Sequence, residues 1–174
     1  MLYLVMESGI LMRHIHSHVY VDKKAVTLVC TNGFIYNYKR KSGGSVDVTL
    51  NSKSVYDKLI KYKEGLKPGD EVVIATDHDK AGELIALEAL SIFPNAKRYR
   101  NRIDDMLYEP ELVVKAVLYN SSEKYFCKDM AMAYLEEKLS GANERAERMR
   151  VLERILSRDS VEGFFIPPRY ARII

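Results

Sequence analysis

Leu2 to Met6 is an apolar run that stops at Glu7, the pattern of a short strand buried on both faces. Over residues 8–18, Ile10, Leu11 and Ile15 recur at helical spacing, with His14 and His18 on the same stripe, and predict a helix. His18–Val21 and Ala25–Cys30 read as extended, joined by a turn at Asp22-Lys23-Lys24. Thr31-Asn32-Gly33 is a turn signal before a strand over Phe34–Tyr38. A basic loop over residues 39–44 follows. Val46, Val48 and Leu50 alternate with polar residues and predict a half-buried strand. Residues 53–64 are helical by period, with Val55, Leu59 and Ile60 on one side.

Pro68-Gly69-Asp70 breaks the chain before a second buried strand, Glu71–Thr76. Asp77–Lys80 is a loop. Gly82–Ile92 then reads as a helix whose Leu84, Ile85, Leu87 and Leu90 face a sheet, ended by Pro94-Asn95. Tyr99 and Ile103 mark one more edge strand, and Pro110 opens a helix over Glu111–Leu118. From Lys128 the pattern is helical to Arg158, with a break at Ser140-Gly141 and an irregular tail around Pro167-Pro168. Strands alternating with helices of this length predict an α/β fold. The expected sheet is mostly parallel and Rossmann-like, with helices on both faces and a C-terminal helical extension. We divide the chain at residues 1–120 and 121–174.

The 174 residues suffice for one ordinary domain with an appendage. A composition 47% hydrophobic and 29% charged is that of a globular chain. No apolar run approaches the roughly 20 residues that span a bilayer, so no membrane partner is expected. The opening residues lack a basic leader and read as a strand rather than a signal peptide. Cys30 and Cys127 carry no CxxC spacing, which points away from a disulfide framework and toward the cytoplasm. The net charge of +3 permits a nucleic-acid partner without arguing for one.

In such sheets functional groups gather beyond the carboxyl ends of the strands. Glu7 lies at one such end and Asp77 and Asp79 at another. Two carboxylates two residues apart in extended chain point the same way, and Mg²⁺ needs only a few hard oxygen ligands because it keeps several waters. The same Asp-x-Asp spacing also suits turn and helix-cap chemistry. Spacing alone does not choose between the two.

A strand ending in Glu, and much later a strand ending ATDxDxxGE before a helix, resembles the Toprim domain. That domain is shared by type IA and type II topoisomerases, bacterial primases and some nucleases and recombination proteins. Within that group the chain is most similar to the type IA DNA topoisomerases. LYLVMESGILMRHI resembles their opening strand, Glu-Ser and helix. Gly33-Phe34-Ile35 is similar to their Gly-His-Ile, and Ala75 to Ala86 to their ATDPDREGEAIA. Met149 to Leu156 resembles the helix that follows their Toprim domain. The resemblance implies that Glu7 handles a proton at the leaving oxygen during phosphodiester cleavage or religation. It implies that Asp77 and Asp79, with Glu7, hold Mg²⁺, or Mn²⁺ in its place, and that DNA is the partner, single-stranded by preference.

Departures accompany the likeness. The family's third loop acid falls on Ala81, its loop Arg on Lys80, its early Lys on Leu11 and its His on Phe34. Lys80 keeps the charge but not the two-pronged grip of a guanidinium on phosphate. Twelve tyrosines are present, and none matches the motif of the family's nucleophile, so no strand passage is expected of this chain alone. It reads as a degenerate or free-standing relative, or as one part of an enzyme whose tyrosine comes from a second protein chain. A hydrolytic Toprim nuclease and a non-catalytic module that binds nucleic acid or protein are the alternatives.

Other features carry two readings each. His14, His16 and His18 share a face on a strand, where they would suit zinc, but not on a helix. Arg150, Arg154 and Arg158 follow one another at four-residue steps, either as a solvated helix face with Glu partners or as phosphate contacts. Lys80 joins them as an expected nucleic-acid contact. Lys97, Arg98, Arg100 and Arg102 form a further basic run in which alternation sends the three arginines to one side, a modest phosphate-binding candidate.

Overall fold

The computed structural model describes residues 1–10, 12–13, 26–42, 45–99, 121–139, 151–152 and 155. Its core is a five-stranded sheet in the order β2-β1-β5-β6-β7. The strands are β1 (Leu2–Met6), β2 (Val26–Cys30), β5 (Glu71–Ile74), β6 (Lys97–Tyr99) and β7 (Ser121–Ser122). β1 runs parallel to both β2 and β5, β5 runs parallel to β6, and only β7 is antiparallel. A separate antiparallel hairpin joins β3 (Tyr36–Arg40) to β4 (Val46–Leu50). Three α-helices are described from end to end, α1 (Lys53–Glu64), α2 (Lys80–Ile92) and α3 (Lys128–Lys138), and a 3-10 turn lies at Glu123–Tyr125. This is the expected α/β architecture with a mostly parallel sheet.

Period-two alternation divides β1 between two cores. Leu2, Leu4 and Met6 pack on one face with Val73, Ala75 and Tyr99, where Met12 joins them. Val5 packs on the other face with Val29, Val72 and Ile74, under α1, α2, α3 and the hairpin. Every residue of α2 from Gly82 to Ile92 is buried. The sequence pattern marks only its sheet-facing stripe. The opposite side is covered by the hairpin and by α3, so a helix between two layers loses its polar face.

Several boundaries differ from expectation. The first hairpin strand covers Tyr36–Arg40 rather than Phe34–Tyr38, so Lys39 and Arg40 belong to a strand and not to the basic loop. Pairing of Arg40 with Val46 and a bond from the Lys41 N–H to the Ser45 carbonyl (2.8 Å) set that register, while the charged side chains stay exposed. β5 ends at Ile74, before Thr76. β6 is not an edge, because β7 pairs with its outer side. Ile10, expected on an inner helical face, is 74% exposed, and Met12 takes the inward position instead. His14, His16, His18, Arg100, Arg102, Ile103, the helix at 111–118 and the tail lie outside the described residues, as do Arg150, Arg154 and Arg158.

Candidate metal and phosphate site

β1 lies between β2 and β5, and the chain leaves it in one direction for β2 and later returns on its other side as β5. The carboxyl ends of β1 and β5 therefore flank the crevice where a doubly wound sheet opens to solvent. Register brings Val5 opposite Ile74, and the Ala75 N–H continues the ladder onto the Val5 carbonyl at 2.7 Å. Glu7 and Asp77, seventy residues apart, meet as a result: the Asp77 backbone N–H donates to Glu7 Oε2 at 3.3 Å. On the other flank, the Thr31 N–H donates to the Met6 carbonyl (2.8 Å) and the Gly33 N–H to the Glu7 carbonyl (3.0 Å). That turn runs through Asn32 at φ 54° and Gly33 at φ 88°, left-handed conformations that Asn and Gly tolerate best.

The loop after β5 is braced from below. Arg98, read from the sequence as a modest phosphate-binding candidate, is wholly buried. Its guanidinium donates to the carbonyls of Ile74 (3.2 Å), Thr76 (2.9 Å) and Asp77 (2.9 Å), and pairs with Glu83 Oε1 at 2.9 Å. Glu83 also accepts from the Cys127 N–H at 3.1 Å, which ties the start of α3 to the same anchor. The Thr76 hydroxyl donates to the Gly82 carbonyl at 2.7 Å. Gly82 itself leaves no room for a side chain: a Cβ there would lie 2.8 Å from the Asp77 carbonyl carbon and closer still to its oxygen. The glycine serves close approach of loop to helix rather than a sharp turn, since α2 already begins at Lys80.

Asp79 is the N-cap of α2. Its Oδ1 accepts the Gly82 N–H at 2.7 Å, so helix capping, one of the two readings of Asp-x-Asp, is realised here. One oxygen of Asp79 is thereby engaged, while the exposed carboxylate of Asp77 heads the loop. Burial lifts the Glu7 carboxyl above the ordinary carboxylate range, and the charges of Asp77 and Asp79 push it the same way; the Asp77 N–H and Arg98 pull against them. Acidic neighbours that make ionisation of Glu7 costlier are the setting a divalent cation relieves. The donors fit a hard ion that keeps most of its waters. They do not form a closed cage: among the described residues no group of three His, Cys, Asp or Glu side chains is set to ligate one point, and Ala81 adds no oxygen.

Lys80, expected to contact phosphate, has a partner on α3. Its ammonium pairs with Glu137 on α3, both side chains about half exposed. Phe34, in the place of the family's histidine, stacks on Tyr134 of α3 with Lys138 above its ring. Burial raises the Tyr134 phenol, as do the charges of Asp79, Glu137 and Glu88.

Glu88 is a residue that the sequence reading passed over. Fully buried on α2, it accepts the Ile35 N–H at 2.6 Å and the Tyr38 hydroxyl, fastening the hairpin to the helix. Burial pushes its carboxyl up to about 8 against those hydrogen bonds, and burial together with the Glu88 charge pushes the Tyr38 phenol well up. An acid inside the apolar run LIALEALSI was the available signal.

No helix among the described residues is long and apolar enough to cross a membrane. No curated protein matches the chain. Among solved structures, the fold is similar to the full-length topoisomerase I of Thermotoga maritima, with a TM-score of 0.57 at 18% identity. The match covers 94% of this chain but 27% of that one, and at such identity it concerns the fold. The Toprim domain family matches residues 4–106, a span that runs from within β1 past β6 and includes Glu7, Asp77 and Asp79. The chain belongs to the Toprim domain family.

Proposed function

We propose that this protein uses Glu7, Asp77 and Asp79 to hold Mg²⁺, or Mn²⁺, at the edge of the sheet and acts on or binds the phosphodiesters of DNA. The observation that carries this reading is the bond from the Asp77 N–H to Glu7, which joins two acid-bearing strand ends; among the described residues the buried Arg98 is the cation that acts on Glu7. Bound there, a divalent ion would supply charge to a phosphate in the transition state. Glu7, protonated more readily than a free carboxylate, would give or take a proton at the leaving oxygen. Asp79 would serve twice, capping α2 with one oxygen and facing the ion with the other. Single-stranded DNA, a cytoplasmic setting, contacts from Arg150, Arg154 and Arg158, and a division near residue 120 belong to the same proposal. The chain spans 27% of the length of the topoisomerase it resembles, and a second protein chain supplying the tyrosine for isomerase chemistry belongs to the same proposal.

Ala81 and the capping role of Asp79 favour a second reading, a nucleic-acid-binding module with weak metal affinity. Calorimetric titration with Mg²⁺ and Mn²⁺ of wild type beside Asp77→Asn and Asp79→Asn separates the two, with labelled single-stranded DNA present to detect cleavage. Saturable binding lost in both variants supports the metal reading. Heats identical in all three proteins refute it.

A further inference from the structure

The surface where α3 meets the rim of the site holds an aromatic pair and a cation. The rings of Phe34 and Tyr134 stack with centroids 5.2 Å apart and planes 20° from parallel, and both remain half-buried. The exposed Lys138 lays its ammonium 4.3 Å from the Phe34 centroid and 5.8 Å from that of Tyr134. Phe34 directly follows Gly33, whose N–H is bonded to the Glu7 main-chain carbonyl, and the charge of Asp79 reaches the Tyr134 phenol. Lys80, the other described lysine on this rim, is taken by Glu137.

We propose that Phe34, Tyr134 and Lys138 form a subsite for one nucleotide of a single-stranded nucleic acid, the base against the rings and the phosphate on the ammonium. This rests on the reading that the chain handles nucleic-acid phosphodiesters. A solvated lysine lying on a ring is a weak and exchangeable cover. A base stacks on such a ring more strongly than the ammonium does, whatever its identity, because every base has a π face. The displaced ammonium remains within its own side-chain length of the adjoining phosphate, so one exchange satisfies both halves of the nucleotide.

The test is fluorescence anisotropy with labelled oligothymidylate and an abasic deoxyribose-phosphate chain of equal length, first in EDTA and then in Mg²⁺. Wild type should bind the base-bearing chain about tenfold more tightly than the abasic one. Tyr134→Leu should abolish that preference while keeping the abasic affinity. Lys138→Gln, an exposed change that leaves the core alone, should weaken both and lower the salt slope by about one. Equal binding of the two chains by wild type overturns the subsite, as does a preference that survives Tyr134→Leu. A base preference in EDTA with no Mg²⁺ response upholds the subsite and removes the metal reading. If neither chain binds at low salt, the nucleic-acid reading and the subsite fall together.

Discussion

The guanidinium of Arg98 and the carboxylate of Glu83 lie 2.9 Å apart, both almost wholly buried, directly beneath the loop that carries Asp77 and Asp79. The pair links four elements: β5 through its last carbonyls, β6 through Arg98, α2 through Glu83 and the start of α3 through Cys127. A charge removed from such a site leaves its partner desolvated and alone, at a cost of about 3–5 kcal/mol. Arg98→Met should lower stability by that order in denaturant unfolding. Arg98→Lys should rescue only part, since a lysine cannot reproduce the fork.

Gly82→Ala tests the close approach of α2 to the loop. The added methyl meets the Asp77 carbonyl, which is backbone and cannot swing aside. We expect destabilisation of about 1–3 kcal/mol by thermal melting, with a larger relative loss in divalent-ion affinity because the same shift moves Asp77.

Asp79 separates structure from chemistry by choice of variant. Asp79→Asn retains an oxygen for the Gly82 N–H and should melt close to wild type, whereas Asp79→Ala should lose about 1 kcal/mol with the cap. Both should lose metal affinity in calorimetry. Equal melting of the two variants would remove the capping role.

Glu88 makes stability depend on pH. Its folded value, about 8, lies above its ordinary 4.5, so the folded state keeps a proton that the unfolded chain surrenders. The contribution is complete below about pH 4.5, declines as pH rises toward 8 and is then level. The span corresponds to roughly a few kcal/mol. Glu88→Gln keeps the shape and the bond from the Ile35 N–H, and urea midpoints across that range should flatten in the variant.

Glu137→Gln should release Lys80 from its surface ion pair. Such pairs contribute about 0–1 kcal/mol, so the melting temperature should barely change. Affinity for single-stranded DNA at low salt should rise about two- to fivefold, measured by anisotropy. Unchanged affinity would mean that Lys80 does not meet phosphate.

Much of this molecule was legible along the chain because local physics writes it there. An apolar run ending in an acid marks β1 and Glu7, and the run from Val72 through Asp79 marks the second strand end. Period-two and helical patterns locate the strands and helices to within a few residues. What the pattern could not register is which residues lose solvent from a second side. Arg98 and Glu88 read as charges among charges or as an oddity within an apolar run. They became buried anchors only when the end of β5 and α2 closed on Arg98 and the hairpin closed on Glu88. Lys80 and Phe34 likewise acquired Glu137, Tyr134 and Lys138 through packing of α3. The sequence alone thus determined the alternation of elements and the acids at their ends, since these depend on spacing within a few residues. Partnership, burial and proton affinity at the site were decided by tertiary structure, because each depends on groups that only the folded sheet brings within hydrogen-bond or Coulombic reach.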